Sequence, residues 1–257
     1  MTMIDVAEVC AWAREAGAIA LRHFRTVQGQ RKADNSIVTQ ADLEIEQMLR
    51  ERIQQRYPHH AIIGEEQGGD VTGHEYIWAL DPVDGTNAFA FGLPTWGISI
   101  GILRNSQPFL GVIYIPVSDD MYWNEAAAQA YWNGQPIRVS AATDYDGQDW
   151  ITVSSYAHLD YDITFRGKTR STGSTVAHCC YVAQGSSVGA LLGQVHLWDV
   201  AAAMPIVEAA GGHIITLDND PLDLGTLLDG RLAPRPLLVV TPALHKTIIG
   251  SIREKGQ

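Results

Sequence analysis

Two aspartates three residues apart, Asp81 and Asp84, lie in the stretch Asp81-Pro-Val-Asp-Gly-Thr-Asn-Ala-Phe89. Pro82 fixes its own φ, and Gly85 and Thr86 open what reads as a short helix. A turn of this kind can aim two carboxylates and a backbone carbonyl into one small volume. N–H groups at the start of the following helix can hold a phosphate beside them. Like charges this close repel, which costs free energy unless a cation lies between them. The plainer reading is a surface turn with a helix cap, and the motif alone does not choose. Further acidic groups come from elsewhere: Glu65 and Glu66 end an upstream apolar run, and Asp199 precedes an Ala-rich segment. Taken singly, the glutamates could be solvated, and Asp199 could be an N-cap worth about 1 kcal/mol. An all-oxygen donor set suits Mg2+. The 9 His show no paired HxxxH spacing and no CxxC occurs, which argues against zinc.

The elements that must position these groups follow from periodicity. Residues 4–25 carry Val6, Val9, Ala13, Ala16, Ala20 and Phe24 at helical spacing. Residues 39–57 form a second helix, with Ala41, Ile45, Leu49, Ile53 and Tyr57 on one stripe and Pro58 as its stop. Short strands at 61–64 and 76–80 end in Glu65-Glu66 and in Asp81-Pro82. Both acidic clusters therefore stand at strand ends, where loops present function. Residues 96–103 and 109–115 read as a hairpin, and 121–123 and 130–132 continue an antiparallel sheet, with Asn133-Gly134 as a turn. The polar stretch 138–150 marks a boundary between domains at 1–140 and 141–257. Beyond it we expect strands at 151–155, 188–192, 213–217 and 237–241, and helices near 173–184, 199–210 and 243–254. Residues 218–236 give no clear pattern. The order suggests an α+β half packed on an α/β half.

Composition narrows the class. The 257 residues are 46% hydrophobic and 18% charged, enough for one large or two ordinary domains with real cores. No apolar run approaches the ~18 residues of a membrane span, and the N-terminus lacks the basic region and apolar core of a secretory signal. Three Cys, two of them adjacent, make no disulfide framework. The expectation is a soluble, cytoplasmic protein. The net charge of −11 is shared by both halves. Such a surface repels nucleic acid and anionic membranes. An anionic ligand would need a local countercharge, and a divalent cation held by carboxylates can supply it.

Taken together, GEE at 64–66, WALDPVDGTNAF at 78–89 and WDVAAAMPIVEAAGG at 198–212 resemble the inositol monophosphatase-like family of Mg2+-dependent, lithium-sensitive phosphatases. Thr39-Gln-Ala-Asp42 and RSTGS at 170–174 fit as well, so the resemblance runs in order over nearly the whole chain. It implies a two-domain layered αβαβα sandwich of the inositol monophosphatase and fructose-1,6-bisphosphatase type, with the site between the domains. It also implies two to three Mg2+ ions. Glu65, Asp81 and the carbonyl of Val83 would hold the first. Asp81 would bridge to a second, bound also by Asp84 and Asp199, and a third, weaker ion would share Glu65. Asp42 and Thr86 would orient the attacking water, and the N–H groups of Gly85 and Thr86 would hold phosphate oxygens. Lys32 would lie in a loop over the metal site. A homodimer is expected by analogy with relatives.

The same resemblance assigns substrate reading to the second domain, through Arg170, Gly173, Ser174 and Thr175. The plainer reading there is a helix start and a solvated Arg. One departure is clear: inositol-specific members carry an acidic residue seven positions before the WD aspartate, and here that position is Leu192. An aliphatic side chain cannot accept hydrogen bonds from inositol hydroxyls. Asn87, Phe91, Tyr156, His158 and Asp160 are candidates for shaping another pocket. The function expected is hydrolysis of a small phosphorylated metabolite. Histidinol phosphate, fructose 1,6-bisphosphate and 3′-phosphonucleotides stand as alternative substrates, and a non-catalytic, transcription-linked interaction protein as an alternative of another class.

Overall fold

The structure, a computed structural model, describes residues 4–26, 30–31, 37–125 and 129–256. Lys32, and the polar turn expected at 32–36, lie outside them. Helix α1 (Val6–His23) is capped by Asp5, whose side chain accepts the Ala7 N–H. The short strands β1 (Gln30–Arg31) and β2 (Ile37–Val38) pair antiparallel ahead of α2 (Gln40–Arg56). Next come β3 (Ala61–Gly64), β4 (Tyr76–Asp84), α3 (Thr86–Ala90), β5 (Gly97–Arg104), β6 (Gln107–Ile115), β7 (Asp120–Glu125), β8 (Gln129–Trp132) and β9 (Gln135–Ile137). Strands β3 to β9 make one sheet in sequential order, antiparallel except for the β3–β4 pair. Residues 138–149 carry neither helix nor strand.

The second run holds β10 (Trp150–Val153), α4 (Ala157–Asp160), β11 (Tyr161–Ile163), β12 (Lys168–Arg170), α5 (Thr175–Ala183), β13 (Gly189–Leu192), α6 (Leu197–Val200), α7 (Ala203–Ala209), β14 (His213–Thr216), β15 (Leu237–Val240), α8 (His245–Gly250) and β16 (Ile252–Glu254). Its mixed sheet has the order β12-β10-β13-β15-β14. The last helix is shorter than the spacing suggests. The chain turns at Gly250-Ser251, and β16 leaves to pair with β11. Residues 218–236 hold a 3-10 turn at Leu224–Leu227 and a lone antiparallel bridge from Pro221 to Ile215.

Period-two alternation sorts the strands into layers. Trp78, Leu80, Ile98, Ile100 and Ile102 pack on α1 and α2, while Ile77, Ala79, Leu103 and Ile113 face α5, α6 and α7. The second sheet does the same, with Ala190, Leu192, Leu237 and Val239 toward α5 and α7. Leu191, Leu238 and Val240 pack on α8. The result is five layers, αβαβα, with one apolar cluster joining both sheets through the middle helices.

A close approach in that middle layer sets the site. Gly101 and Gly111 face each other across β5 and β6. A Cβ on Gly111 would lie 2.0 Å from the Ala202 carbonyl oxygen, and one on Gly101 would lie 2.5 Å from Ala201. The missing side chains let the link between α6 and α7 rest directly on the sheet. The helix expected at 199–210 is divided there into α6 and α7, because Pro205 has no N–H to donate to the Ala201 carbonyl four residues back.

Candidate metal centre and its surroundings

Strand β4 carries Ile77 and Ala79 toward the middle helices, and the same alternation sends Asp81 that way. Its ladder with β5 is regular up to Asp81 opposite Ser99, then shifts before Asp84 opposite Gly97. That irregularity spans Pro82, which cannot donate to a ladder. It turns Asp81 and Asp84 toward one point. The Val83 N–H donates to Asp81 Oδ1 at 3.1 Å, and the Val83 carbonyl accepts the Thr86 hydroxyl at 2.9 Å. Gly85 has φ 86, in the left-handed region, and a Cβ there would meet the Gly173 carbonyl at 2.8 Å.

Asp199 comes from the other half. It lies in the first turn of α6, where its Oδ2 accepts the His196 N–H at 2.6 Å. The Ser99 hydroxyl donates to the Trp198 carbonyl at 3.2 Å, tying α6 to β5 beside Asp81. Each of Asp81, Asp84 and Asp199 then offers a carboxylate oxygen, all within 4.8 Å of one another. Among the described residues no Lys or Arg pairs with any of the three.

The electrostatics of that arrangement are unfavourable by themselves. Burial, then Glu65, Asp84 and Asp199, pushes Asp81 well above the usual carboxylate range. Burial and Asp84 raise Asp199 likewise, against the His196 N–H. Asp84 rises to about 7 through burial, although three donors on 174–176 pull the other way. A divalent cation relieves such a cluster by supplying the missing countercharge. Oxygen donors without histidine or thiolate fit Mg2+ or a cation like it. Glu65, at the end of β3, stands outside the tight trio, but its charge raises all of its members.

Asp42 is fully buried in the first turn of α2. Its Oδ2 accepts the Thr39 N–H at 2.8 Å and the Thr39 hydroxyl at 2.5 Å. Its Oδ1 faces the Thr86 hydroxyl at 3.5 Å, the outer edge of hydrogen bonding. Burial pushes Asp42 up to about 7, opposed by the Thr39 bonds and assisted by Glu65 and Glu66. The Thr39 grip escaped the sequence reading, although a Thr three residues before an Asp at a helix start is a capping signal.

The segment expected to meet substrate is divided. The Ser174 hydroxyl donates to Asp84 Oδ2, and the N–H groups of Thr175 and Val176 donate to the same carboxylate. Gly173, with φ 85, packs near Ala88. Arg170 is exposed, its guanidinium 5.4 Å over the Trp150 ring. It makes no bond to the acidic group. Leu192 is 2% exposed and belongs to the central apolar cluster. Phe91 and Tyr156 are strongly exposed, and among the described residues the His158 ring bonds only to the Ser155 carbonyl.

The geometry agrees with comparison to known proteins. Residues 2–257 match the model of the inositol monophosphatase family. The chain is 28% identical over 243 residues to an Aquifex aeolicus protein named fructose-1,6-bisphosphatase/inositol-1-monophosphatase, covering 90% of this chain and 91% of that one. It is 32% identical over 214 residues to the Salmonella typhimurium Nus factor SuhB, covering 78% and 80%. Among solved structures, a Thermotoga maritima IMPase superposes with a TM-score of 0.84 at 24% identity, covering 96% and 95%, which supports the fold. The chain is a member of the inositol monophosphatase family, whose proteins are metal-dependent phosphatases.

Proposed function

We propose that the protein is a Mg2+-dependent phosphomonoesterase acting on a small phosphorylated metabolite. The observation that carries this reading is the convergence of Asp81, Asp84 and Asp199 within 4.8 Å, with no basic partner among the described residues. Asp81, Asp84 and Asp199, with Glu65 and the Val83 carbonyl, would hold two to three ions. Bound there, the cations lower the pKa of water and stabilise charge on a phosphate and its leaving oxygen.

The chain's own part begins at Thr86. Its hydroxyl donates to the Val83 carbonyl at 2.9 Å, with Asp42 Oδ1 3.5 Å away. Turned from Val83 to Asp42, the hydroxyl gives its one proton to Oδ1 while its oxygen takes a proton from an incoming water. Thr39 fixes Asp42 through Oδ2 and leaves Oδ1 toward Thr86. An Asp42 held near pH 7 is suited to taking and returning a proton at neutrality. Gly85 and Thr86 would meet the phosphate oxygens, and Gly173 leaves room for backbone beside them. Arg170 would serve only after leaving Trp150.

Leu192, sealed in the core, weighs against myo-inositol 1-phosphate as the preferred substrate. Histidinol phosphate, fructose 1,6-bisphosphate and 3′-phosphonucleotides remain alternatives. A homodimer, a cytoplasmic location and sensitivity to Li+ belong to the same reading. Likeness to a Nus factor supports a second reading, an interaction protein of the transcription apparatus. The acid cluster favours the enzyme, because an abandoned site has no reason to keep buried like charges together. The test is a panel of phosphorylated metabolites, with Mg2+ and after chelation. Release of phosphate only with the metal supports the enzyme. No release from any ester, with polymerase factors captured by the purified chain, overturns it.

A further inference from the structure

One fully buried carboxylate has no part in the chemistry above. Glu46 lies in α2, one helical turn beyond Asp42. Its Oε2 accepts the Glu66 N–H at 2.8 Å, and its Oε1 accepts the Gln67 N–H at 3.1 Å. Arg50 Nε donates to Oε1 at 2.9 Å, and Arg50 Nη2 donates to the Gly68 carbonyl. Gly64 lies so close that a Cβ would stand 2.5 Å from the Glu46 carboxyl. Gly64 and Gly68 exchange backbone bonds of 3.1 and 2.9 Å. The Glu65 N–H donates to the Leu80 carbonyl at 3.1 Å, one residue before Asp81.

We propose that Glu46, held by Arg50, is a positioning residue that fixes the Glu65 turn and thereby sets the protein's affinity for divalent cations. The inference rests on the reading of Glu65 as a ligand. The donors of the turn divide between two supports. Glu65 hangs on β4, and Glu66 and Gln67 hang on Glu46. One rigid helix thus carries both the carboxylate facing Thr86 and the carboxylate under the Glu65 turn. A buried ion pair gives little net stability, and apolar residues of similar volume often do as well or better. Two N–H bonds and a guanidinium do fix a carboxylate in space, however. A ligand set needs its supports placed to within about 0.5 Å. The pair therefore has a use in aiming Glu65 that packing alone would not require.

The test uses the full chain, stripped of metal and titrated with Mn2+ alone, with free Mn2+ followed by electron paramagnetic resonance. Glu46→Gln turns an NH2 group toward donors that need an acceptor. About tenfold weaker Mn2+ binding is expected at one site, typical of losing a group that orients a metal ligand. Hydrogen exchange should quicken at the Glu66 and Gln67 amides. Turnover should recover at saturating Mg2+, which a general loss of structure would not allow. Glu46→Asp keeps the charge against Arg50 but shortens the reach, and it carries the same expectation if the Gln variant fails to fold. A folded variant with parental Mn2+ affinity overturns the proposal, even if its melting temperature falls. Glu65→Gln separates the two ideas. If it binds Mn2+ like the parent, the reading of Glu65 as a ligand fails. If it weakens binding while both Glu46 variants do not, only the positioning role fails.

Discussion

The Asp84 carboxylate closes the amino end of α5, with the Val176 N–H donating to its Oδ2 at 3.1 Å. The Thr175 N–H reaches Oδ1 at 3.2 Å, and the Ser174 hydroxyl reaches Oδ2. A residue of the first sheet thus completes a helix that packs between both sheets. Helix N-termini favour negative charge, so α5 supplies part of the countercharge that the acid cluster lacks. Ser174 also accepts the Ala177 N–H at 3.1 Å, as the helix's own cap.

Ser174→Ala separates these duties. Losing the cap should cost about 1 kcal/mol of stability. Losing the hydroxyl on Asp84 should weaken cation binding about tenfold, as removal of a group that orients a metal ligand does. Urea denaturation reads the first and Mg2+ activation of phosphate release reads the second. Asp84→Asn should cost far more activity, about a hundredfold or beyond, since it removes charge from the cluster itself. A folded Asn variant with parental turnover would refute the role of Asp84.

Gly111 makes a second prediction, about the path from the sheet to Asp199. A Cβ there would lie 2.0 Å from the Ala202 carbonyl, backbone that cannot swing aside as a side chain can. Gly111→Ala should push the α6–α7 link off the sheet and carry Asp199 with it. Overpacking of this kind costs about 1–3 kcal/mol. Activity should fall more steeply with limiting Mg2+ than at saturation. A variant with parental stability and parental Mg2+ dependence would show that the contact does not place Asp199.

These relationships explain which parts of the molecule could be read from the sequence. The stripe on α2, the hairpin of β5 and β6 and the Asp81–Asp84 turn are local patterns, and spacing along the chain shows them. Pro205 is a local sign of the break between α6 and α7, because it cannot donate to the Ala201 carbonyl four residues back. What is not local is the seat of that link on Gly101 and Gly111, roughly a hundred residues upstream. The pairing of β11 with β16 joins residues as distant as Tyr161 and Glu254, so 252–254 reads as a helix tail until its partner is known. At the site, residue types announced the acids but not their holders. Ser174 and Thr175 suggest a substrate loop in sequence, and only the fold shows them bonded to Asp84. Arg170 suggests an anion contact, and only the fold shows it stacked on Trp150.

Leu192 makes the third prediction. It is 2% exposed, in β13 opposite Leu237, within the central apolar cluster. Restoring an acidic residue there should not restore recognition of inositol. Leu192→Glu would bury a carboxylate without a partner, at a cost of about 3 kcal/mol or more. Its melting temperature should drop sharply, and its relative rate on myo-inositol 1-phosphate should not rise. An intact, stable variant with a selective gain on that ester would show that the position opens to the substrate.

The last prediction concerns acid stability. His178 is 3% exposed in α5, and its Nε2 accepts the Thr172 N–H at 3.2 Å. The Thr172 carbonyl in turn accepts the Thr95 hydroxyl at 2.6 Å, so this histidine secures the loop before Asp84's donors. Only a neutral ring can accept that bond, and burial lowers its pKa from 6.5 to about 4. Between those values the unfolded chain holds a proton that the native chain does not. The native state therefore loses stability as pH falls from 6.5 toward 4, by about 3 kcal/mol over the whole window. The raised carboxylates of the cluster act with the opposite sign, so a single acid titration would mix the two. The difference between the parent and His178→Gln, measured by urea denaturation across that range, cancels the shared part. Relative to the parent, the glutamine variant should gain stability as pH falls from 6.5 toward 4. Equal slopes for the two proteins would mean that His178 takes up its proton without leaving the fold, and the Thr172 bond would then not depend on the neutral ring.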